Sequence, residues 1–272
     1  MRILVTGHKG FIGSNLALYL QTQGHEVEGW EYIPNTIPDP SNYDWVFHIG
    51  ANSSTTETDV ELIMEQNFEH SMRLLQACDM MGTNFQYASS ASVYGPTTHF
   101  TEAGPLQPQS PYAWTKYLFD RFVEQNIDNF QVLVQGFRYF NVYGLGEDHK
   151  GDQASPYTKF TKQAKNTGVI KLFENSNNYK RDFVCVEDIC KVHDLMLEQD
   201  TSGIYNVGTG IPESFEEVAN AIASKYNAKI EYVPMPENLK GQYQDYTCAN
   251  TKKLTNIIDI NFKKIKDYIN EV

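Results

Sequence analysis

The first thirteen residues constrain the fold more than any other stretch. Met1-Arg2-Ile3-Leu4-Val5-Thr6-Gly7-His8-Lys9-Gly10-Phe11-Ile12-Gly13 sets a short apolar run directly before three evenly spaced glycines. Helical apolar spacing then runs through Phe11, Ile12, Leu16, Leu18 and Leu20 to a stop at Gly24. Residues 2–6 read as a parallel strand buried on both faces, and 11–23 as a helix. In such a unit Gly7 supplies the tight turn, Gly10 lets backbone approach a pyrophosphate, and Gly13 lets the helix pack closely on the strand. The helix N-terminus then meets phosphate charge. Three glycines alone are compatible with a ligand-free turn; their place between strand and helix favours a dinucleotide.

The alternation continues. Strands are expected at 25–31, 44–50, 84–88 and 131–139, and helices at about 59–80 and 111–125. The Pro- and Asn-rich segment 32–43 is short for a crossover, so one βα unit is trimmed there. Strands alternating with helices give an α/β fold, a doubly wound parallel (Rossmann) sheet that binds ligands beyond its C-terminal strand ends. After Gly144 come a polar turn at 148–151, a helix at 156–165, strands at 169–173, 181–184, 204–207 and 229–233, and helices at 186–198 and within 214–272. The expected division is a dinucleotide-binding domain, 1–146, with late sheet elements around 181–208. A small α/β substrate-binding lobe would comprise 147–180 and 209–272.

Composition narrows the function. At 272 residues, with 41% hydrophobic and 13% aromatic content, the chain can bury a sizeable core. A net charge of −12 argues against nucleic-acid binding, which selects clustered Lys and Arg. The four cysteines, Cys78, Cys185, Cys190 and Cys248, show neither Cys-x-x-Cys nor zinc-ligand spacing, so reduced buried thiols and no metal site are expected. No leader-like opening or 18-residue apolar run is present, and the expectation is a cytoplasmic protein without a membrane partner.

Three further features carry chemistry. Glu31 ends the second strand, where a carboxylate accepts hydrogen bonds from the adenosine ribose and repels a 2′-phosphate. That favours NAD over NADP, although residues near the site such as Lys9 could offset Glu31. Tyr112 and Lys116, in Ser110-Pro111-Tyr112-Ala113-Trp114-Thr115-Lys116, share one helix face. A cationic lysine beside the phenol is expected to lower its pKa from about 10 toward neutrality, making an acid/base. Lys116 would also bond the nicotinamide ribose. Ser90, in Tyr87-Ala88-Ser89-Ser90-Ala91-Ser92, would hold the substrate oxygen. Any one of these has a bland reading, a core tyrosine or an exposed glutamate; the ordered set is a recipe for hydride transfer at a carbinol carbon.

These residues resemble the extended short-chain dehydrogenase/reductases of the nucleotide-sugar class and, within them, the ADP-L-glycero-D-manno-heptose 6-epimerases. The narrower likeness rests on Ala51-Asn52-Ser53-Ser54-Thr55-Thr56-Glu57, Gly136-Phe137-Arg138-Tyr139-Phe140-Asn141-Val142-Tyr143-Gly144, His149-Lys150-Gly151, Lys171-Leu172-Phe173-Glu174, Lys180-Arg181-Asp182-Phe183-Val184 and Leu239-Lys240-Gly241-Gln242-Tyr243. The resemblance implies a tightly bound NADP or NAD lined by Phe11, Ile12, Glu31, Ala51, Asn67 and Val142. It also implies a nucleotide-diphosphate sugar held by Ser90, Asn141, Phe173, Arg181 and Tyr243, and a homo-oligomer. Lys150 would be a second acid/base opposite Tyr112. Without the likeness, Lys150 reads as part of a solvated turn and Arg181 as a surface ion pair with Asp182. Three departures stand out: a shorter loop after Glu31, and Asp152 and Lys159 where the family's serine and histidine are expected.

Competing readings differ in testable ways. A sugar 4,6-dehydratase wants an acidic pair after the catalytic serine, and Ala91 and Ser92 stand there instead. A 4-epimerase or reductase acting on another nucleotide sugar stays open. A non-catalytic NAD(P)-binding sensor subunit would be expected to have lost one of Ser90, Tyr112, Lys116 or Lys150; all four are present.

Overall fold

The computed structural model describes residues 1–54, 57–237 and 244–272, with Asp152 described by its backbone alone. β1 (Arg2–Thr6) leads through the glycine turn into α1 (Phe11–Thr22), followed by β2 (Glu26–Trp30) and β3 (Trp45–His48). No helix separates β2 from β3, which is the trimmed unit expected from the sequence. α2 (Val60–Met64) begins at Asp59, whose side chain accepts from the Leu62 amide at 3.0 Å. α3 (His70–Met81) continues it, but Glu65–Glu69 between them is a π-helical turn rather than the unbroken helix expected. β4 (Asn84–Ser90), α4 (Pro111–Asn126), β5 (Val134–Tyr139) and β6 (Asn141–Tyr143) follow, then α5 (Pro156–Thr167) and β7 (Val169–Phe173). The chain closes with β8 (Lys180–Cys185), α6 (Val186–Leu195), β9 (Gly203–Val207), β10 (Pro212–Ser214), α7 (Phe215–Tyr226), β11 (Lys229–Val233), α8 (Lys252–Thr255) and α9 (Ile265–Glu271).

Six strands form one parallel sheet in the order β2-β1-β3-β4-β5-β9. The order reverses at β1, with β2 on one side and β3 on the other, which opens a crevice beyond their C-terminal ends. The sheet is held from both faces. Leu4, Val46, Phe85 and Val134 pack with Leu74, Leu75, Phe119 and Val123 of α3 and α4. Ile3, Val5 and Phe47 pack on the other face with Leu16 and Leu20 of α1 and Cys190 of α6. Each fully buried Phe or Leu contributes about 1.5–3 kcal/mol.

β8 corrects one expectation. It pairs with β6 and β10 in a separate three-stranded sheet, so that only β9 of the late elements joins the central sheet. Its antiparallel partner β10 spans three residues and has no periodicity long enough to read. β7 and β11 form a parallel pair over a core built from Phe160, Ile170, Leu172, Val218, Ile222 and Ile265. Among the described residues no helix is long and apolar enough to cross a membrane.

Candidate active site

The crevice holds a cavity of about 420 Å³. The glycine turn forms its floor. A Cβ on Gly7 would lie 2.4 Å from the Gly50 Cα, and one on Gly13 only 2.1 Å from the Gly7 carbonyl oxygen. Both positions therefore exclude side chains. Gly7 also has φ 69°, a conformation that glycine adopts without strain. Gly10 caps α1 without any side-chain bond, so the first-turn amides of the helix face the cavity with no internal acceptor. A backbone cradle closed to side chains and open at a helix N-terminus fits a pyrophosphate.

Tyr112 and Lys116 enter from α4. Ser110 caps that helix by accepting from the Ala113 amide at 3.2 Å, and Pro111 takes its first position, which fixes Tyr112 in the opening turn. Ser90, the last residue of β4, stands close enough for its hydroxyl to pull the Tyr112 pKa down and accepts from the Ser92 amide at 3.2 Å. Lys116 lies buried, its Nζ donating to the Ala88 carbonyl at 2.8 Å and standing 6.0 Å from the Tyr112 ring centre.

The expected lowering of the Tyr112 pKa by Lys116 is not what this arrangement gives. Burial of the phenol raises its pKa and outweighs the lowering by Ser90. Burial also drives the Lys116 ammonium down to about 8, because the Ala88 carbonyl is a poor substitute for water.

Behind these residues sits one carboxylate. Asp120, fully buried one turn beyond Lys116, accepts from the Tyr87 hydroxyl at 2.9 Å, the Ser89 hydroxyl at 2.9 Å and Arg138 Nε at 2.8 Å. It thereby ties α4 to β4 and β5 at the level of the site.

The opposite wall is the 3₁₀ turn Asp148–Gln153. Lys150 lines the cavity, its Nζ 5.1 Å from the Phe11 ring centre, and burial lowers its pKa against the opposing charge of Glu147. Lys150 is thus no solvated turn residue. Three residues on, Gln153 lines a second cavity, of about 650 Å³. Gly151 between them has φ 51° and ψ −123°, which breaks the turn.

The second cavity collects Asn141, Phe173 and Arg181, together with Lys159, Lys171 and Ser176. Arg181 does not pair with Asp182. It donates to the Lys180 carbonyl at 3.0 Å and lies 5.5 Å from the Phe215 ring centre. The Asp182 carboxylate instead accepts from the amides of Thr209, Gly210 and Ala249 and from the Thr209 hydroxyl.

Of the residues selected from the sequence, Gly7, Gly10, Phe11, Ile12, Gly13, Glu31, Ala51, Tyr112, Lys116 and Lys150 line the first cavity, and Asn141, Phe173 and Arg181 the second. Three line neither. Ser90 meets the site through Tyr112. Asn67 is buried, holding the Asn52 amide (2.7 Å) and carbonyl (2.9 Å) and the Thr115 hydroxyl, so it shapes the loop after β3 without lining the cavity. Val142, in the middle of β6, is half-buried against the core formed with Val184, Ile189 and Tyr205. Tyr243 lies outside the described residues. Trp30, Tyr32, Gln66, His70 and Tyr139 line the first cavity and were missed. Trp30 and Tyr32 bracket Glu31 and were findable on that ground. Among the described residues no cluster of three or more His, Cys, Asp or Glu side chains could hold a metal.

Residues 3–208 match the NAD dependent epimerase/dehydratase family. The chain belongs to that family. The fold resembles ADP-L-glycero-D-manno-heptose-6-epimerase of Helicobacter pylori at 27% identity, covering 99% of this chain and 94% of that one, with TM-score 0.88. It also resembles the UDP-glucose 4-epimerase of Thermus thermophilus, solved with NAD, at 26% identity over 99% and 98% of the chains, TM-score 0.82. The UDP-N-acetylglucosamine 4-epimerase of Methanobrevibacter ruminantium shares the fold at 20% identity over 100% and 99% of the chains, TM-score 0.84.

Proposed function

We propose that the chain is a nucleotide-sugar epimerase that holds NAD or NADP tightly in the first cavity and acts on ADP-glycero-manno-heptose at C6. The nucleotide sugar occupies the second cavity, with 147–180 and 209–272 as the substrate-binding lobe. The observation that carries this reading is the pairing of two proton-transfer side chains, Tyr112 on α4 and Lys150 on the 148–153 turn, around the cavity that also holds the glycine cradle. When bound, the nicotinamide takes a hydride from the carbinol carbon and returns it to the ketone.

The residues supply the rest. Tyr112 or Lys150 removes the hydroxyl proton as the carbon is oxidised; the ketone then turns over, hydride returns to its other face, and the other of the two side chains gives a proton to the oxygen. Ser90 orients the oxygen at Tyr112, and Lys116 faces the cofactor from beneath. Half-buried in the cavity wall, both acid/base groups are placed to exchange protons with a bound substrate. Arg181, Lys159 and Lys171 in the second cavity suit a diphosphate. The cofactor ends each cycle as it began, so no external reductant is needed.

The test is incubation of purified protein with ADP-D-glycero-D-manno-heptose, following the two C6 epimers by chromatography without added cofactor. Interconversion is expected, and Tyr112→Phe should slow it by roughly 10²–10⁴-fold while leaving bound nucleotide in place. A folded, nucleotide-loaded protein that converts nothing would contradict the C6 assignment and point to another nucleotide sugar.

A further inference from the structure

At the end of the first cavity nearest Glu31 stands an imidazole with nothing to bond. His70 opens α3, is 2% exposed and lines the cavity, yet neither Nδ1 nor Nε2 has a hydrogen-bond partner among the described residues. Its ring lies parallel to Trp30, centres 5.3 Å apart and planes within 5°. Tyr32 meets it edge-on at 5.2 Å. His48 is close as well, but its nitrogens are bonded to Thr6 and Ser71. Burying two unbonded imidazole nitrogens costs stability that a phenyl ring of the same shape would not. A ring with a purely structural task would be better made from phenylalanine.

Its position says what the nitrogens serve. Trp30 and Tyr32 bracket Glu31, and an acid at that strand end meets the adenosine ribose in doubly wound sheets. The group attached to that ribose is the base. Because no helix follows β2, side chains of β2 and α3 form this part of the wall. The π turn Glu65–Glu69 ends directly before His70, bringing Gln66 to the cavity and Asn67 to the Asn52 loop; such turns recur at functional sites.

Resting on the dinucleotide reading above, we propose that His70 is the residue that recognises the adenine base, through one hydrogen bond from its imidazole edge, with Trp30 and Tyr32 as the aromatic wall. A neutral imidazole carries one donor and one acceptor, and adenine offers both kinds of partner. Burial and then the Arg73 charge keep the ring neutral, with its pKa pushed down to about 4 against the opposing charge of Glu65.

The test uses the full chain freed of nucleotide, titrated calorimetrically with ADP-ribose, which has the adenosine diphosphate but no nicotinamide. His70→Phe keeps the ring and deletes both nitrogens; His70→Leu, equally unable to hydrogen-bond, guards against the misfolding of one variant. ADP-ribose should bind each variant about tenfold more weakly, while the unliganded His70→Phe protein melts at a higher temperature than its parent. Equal affinity in parent and variants would overturn the role of His70 and leave the dinucleotide cavity standing. Weaker binding with a lowered unliganded melting temperature in both variants would overturn it too, since the ring would then be structural. Failure of the parent to bind ADP-ribose at all would sink the dinucleotide reading with it.

Discussion

Glu147 is only 1% exposed and has no cationic hydrogen-bond partner among the described residues. Its carboxylate accepts from the Gly144 amide at 3.0 Å and from the Ser155 amide and hydroxyl at 2.6 and 2.8 Å, pinning both ends of the segment that carries Lys150. Its charge favours the Lys150 ammonium, and burial of that ammonium wins. Lys150 accepts a proton only when neutral, so on the proposed assignment the rate climbs as pH rises through its depressed pKa. Glu147→Gln removes the opposing charge. The basic rise in the pH–rate profile should then move to lower pH, and an unmoved profile would separate Lys150 from the rate. Glu147 could be found in the sequence as an acid close to Lys150, but not as its anchor, because that depends on where Ser155 comes to lie.

Among the elements, α4 shows how a site is docked onto a sheet. Asp120 and Arg138 are both fully buried, and their ion pair is completed by Tyr87, Ser89 and Tyr94. Asp120→Asn would take from the buried guanidinium its nearer counter-charge and leave only the part-exposed Glu124 carboxylate at 3.5 Å, a loss of about 3 kcal/mol. Urea unfolding should show it as a lowered midpoint with an unchanged slope, and a midpoint within experimental error of the parent would refute it. α4 itself was legible in Ser110-Pro111 and the Tyr112–Lys116 spacing, as β1 and α1 were in an apolar run, glycines and a helical stripe. Those are local signals. The three-residue strands β6 and β10 were not legible, since their pairing with β8 is decided by distant chain. Nor was the π turn, whose only trace is the polar Glu65-Gln66-Asn67 interrupting an apolar face. Asn67 and Val142 show the same limit: a family likeness places a residue near a site, and only packing decides whether it faces inward.

Over the whole molecule, acid should act through three buried imidazoles. Burial lowers His70 to about 4, His193 to about 3 and His48 well below its usual range. An unfolded chain binds these protons near pH 6.5, whereas the folded one refuses them until far lower. Stability is therefore present above about pH 6.5 and falls as pH drops, with most of the His70 share lost by about pH 4. Melting temperatures recorded from pH 7.5 to 4.5 should decline through this window, and less steeply in His70→Phe; parallel curves would contradict the linkage. The same long-range view gives a meaning to Gly151. In a regular 3₁₀ turn, side chains three apart eclipse one another, and Lys150 and Gln153 would then share a side. The Gly151 backbone breaks that register, although a Cβ there would meet nothing within 4 Å. The backbone bend at Gly151, not any side chain, thus sets Lys150 on the wall of one chamber and Gln153 on the wall of the other.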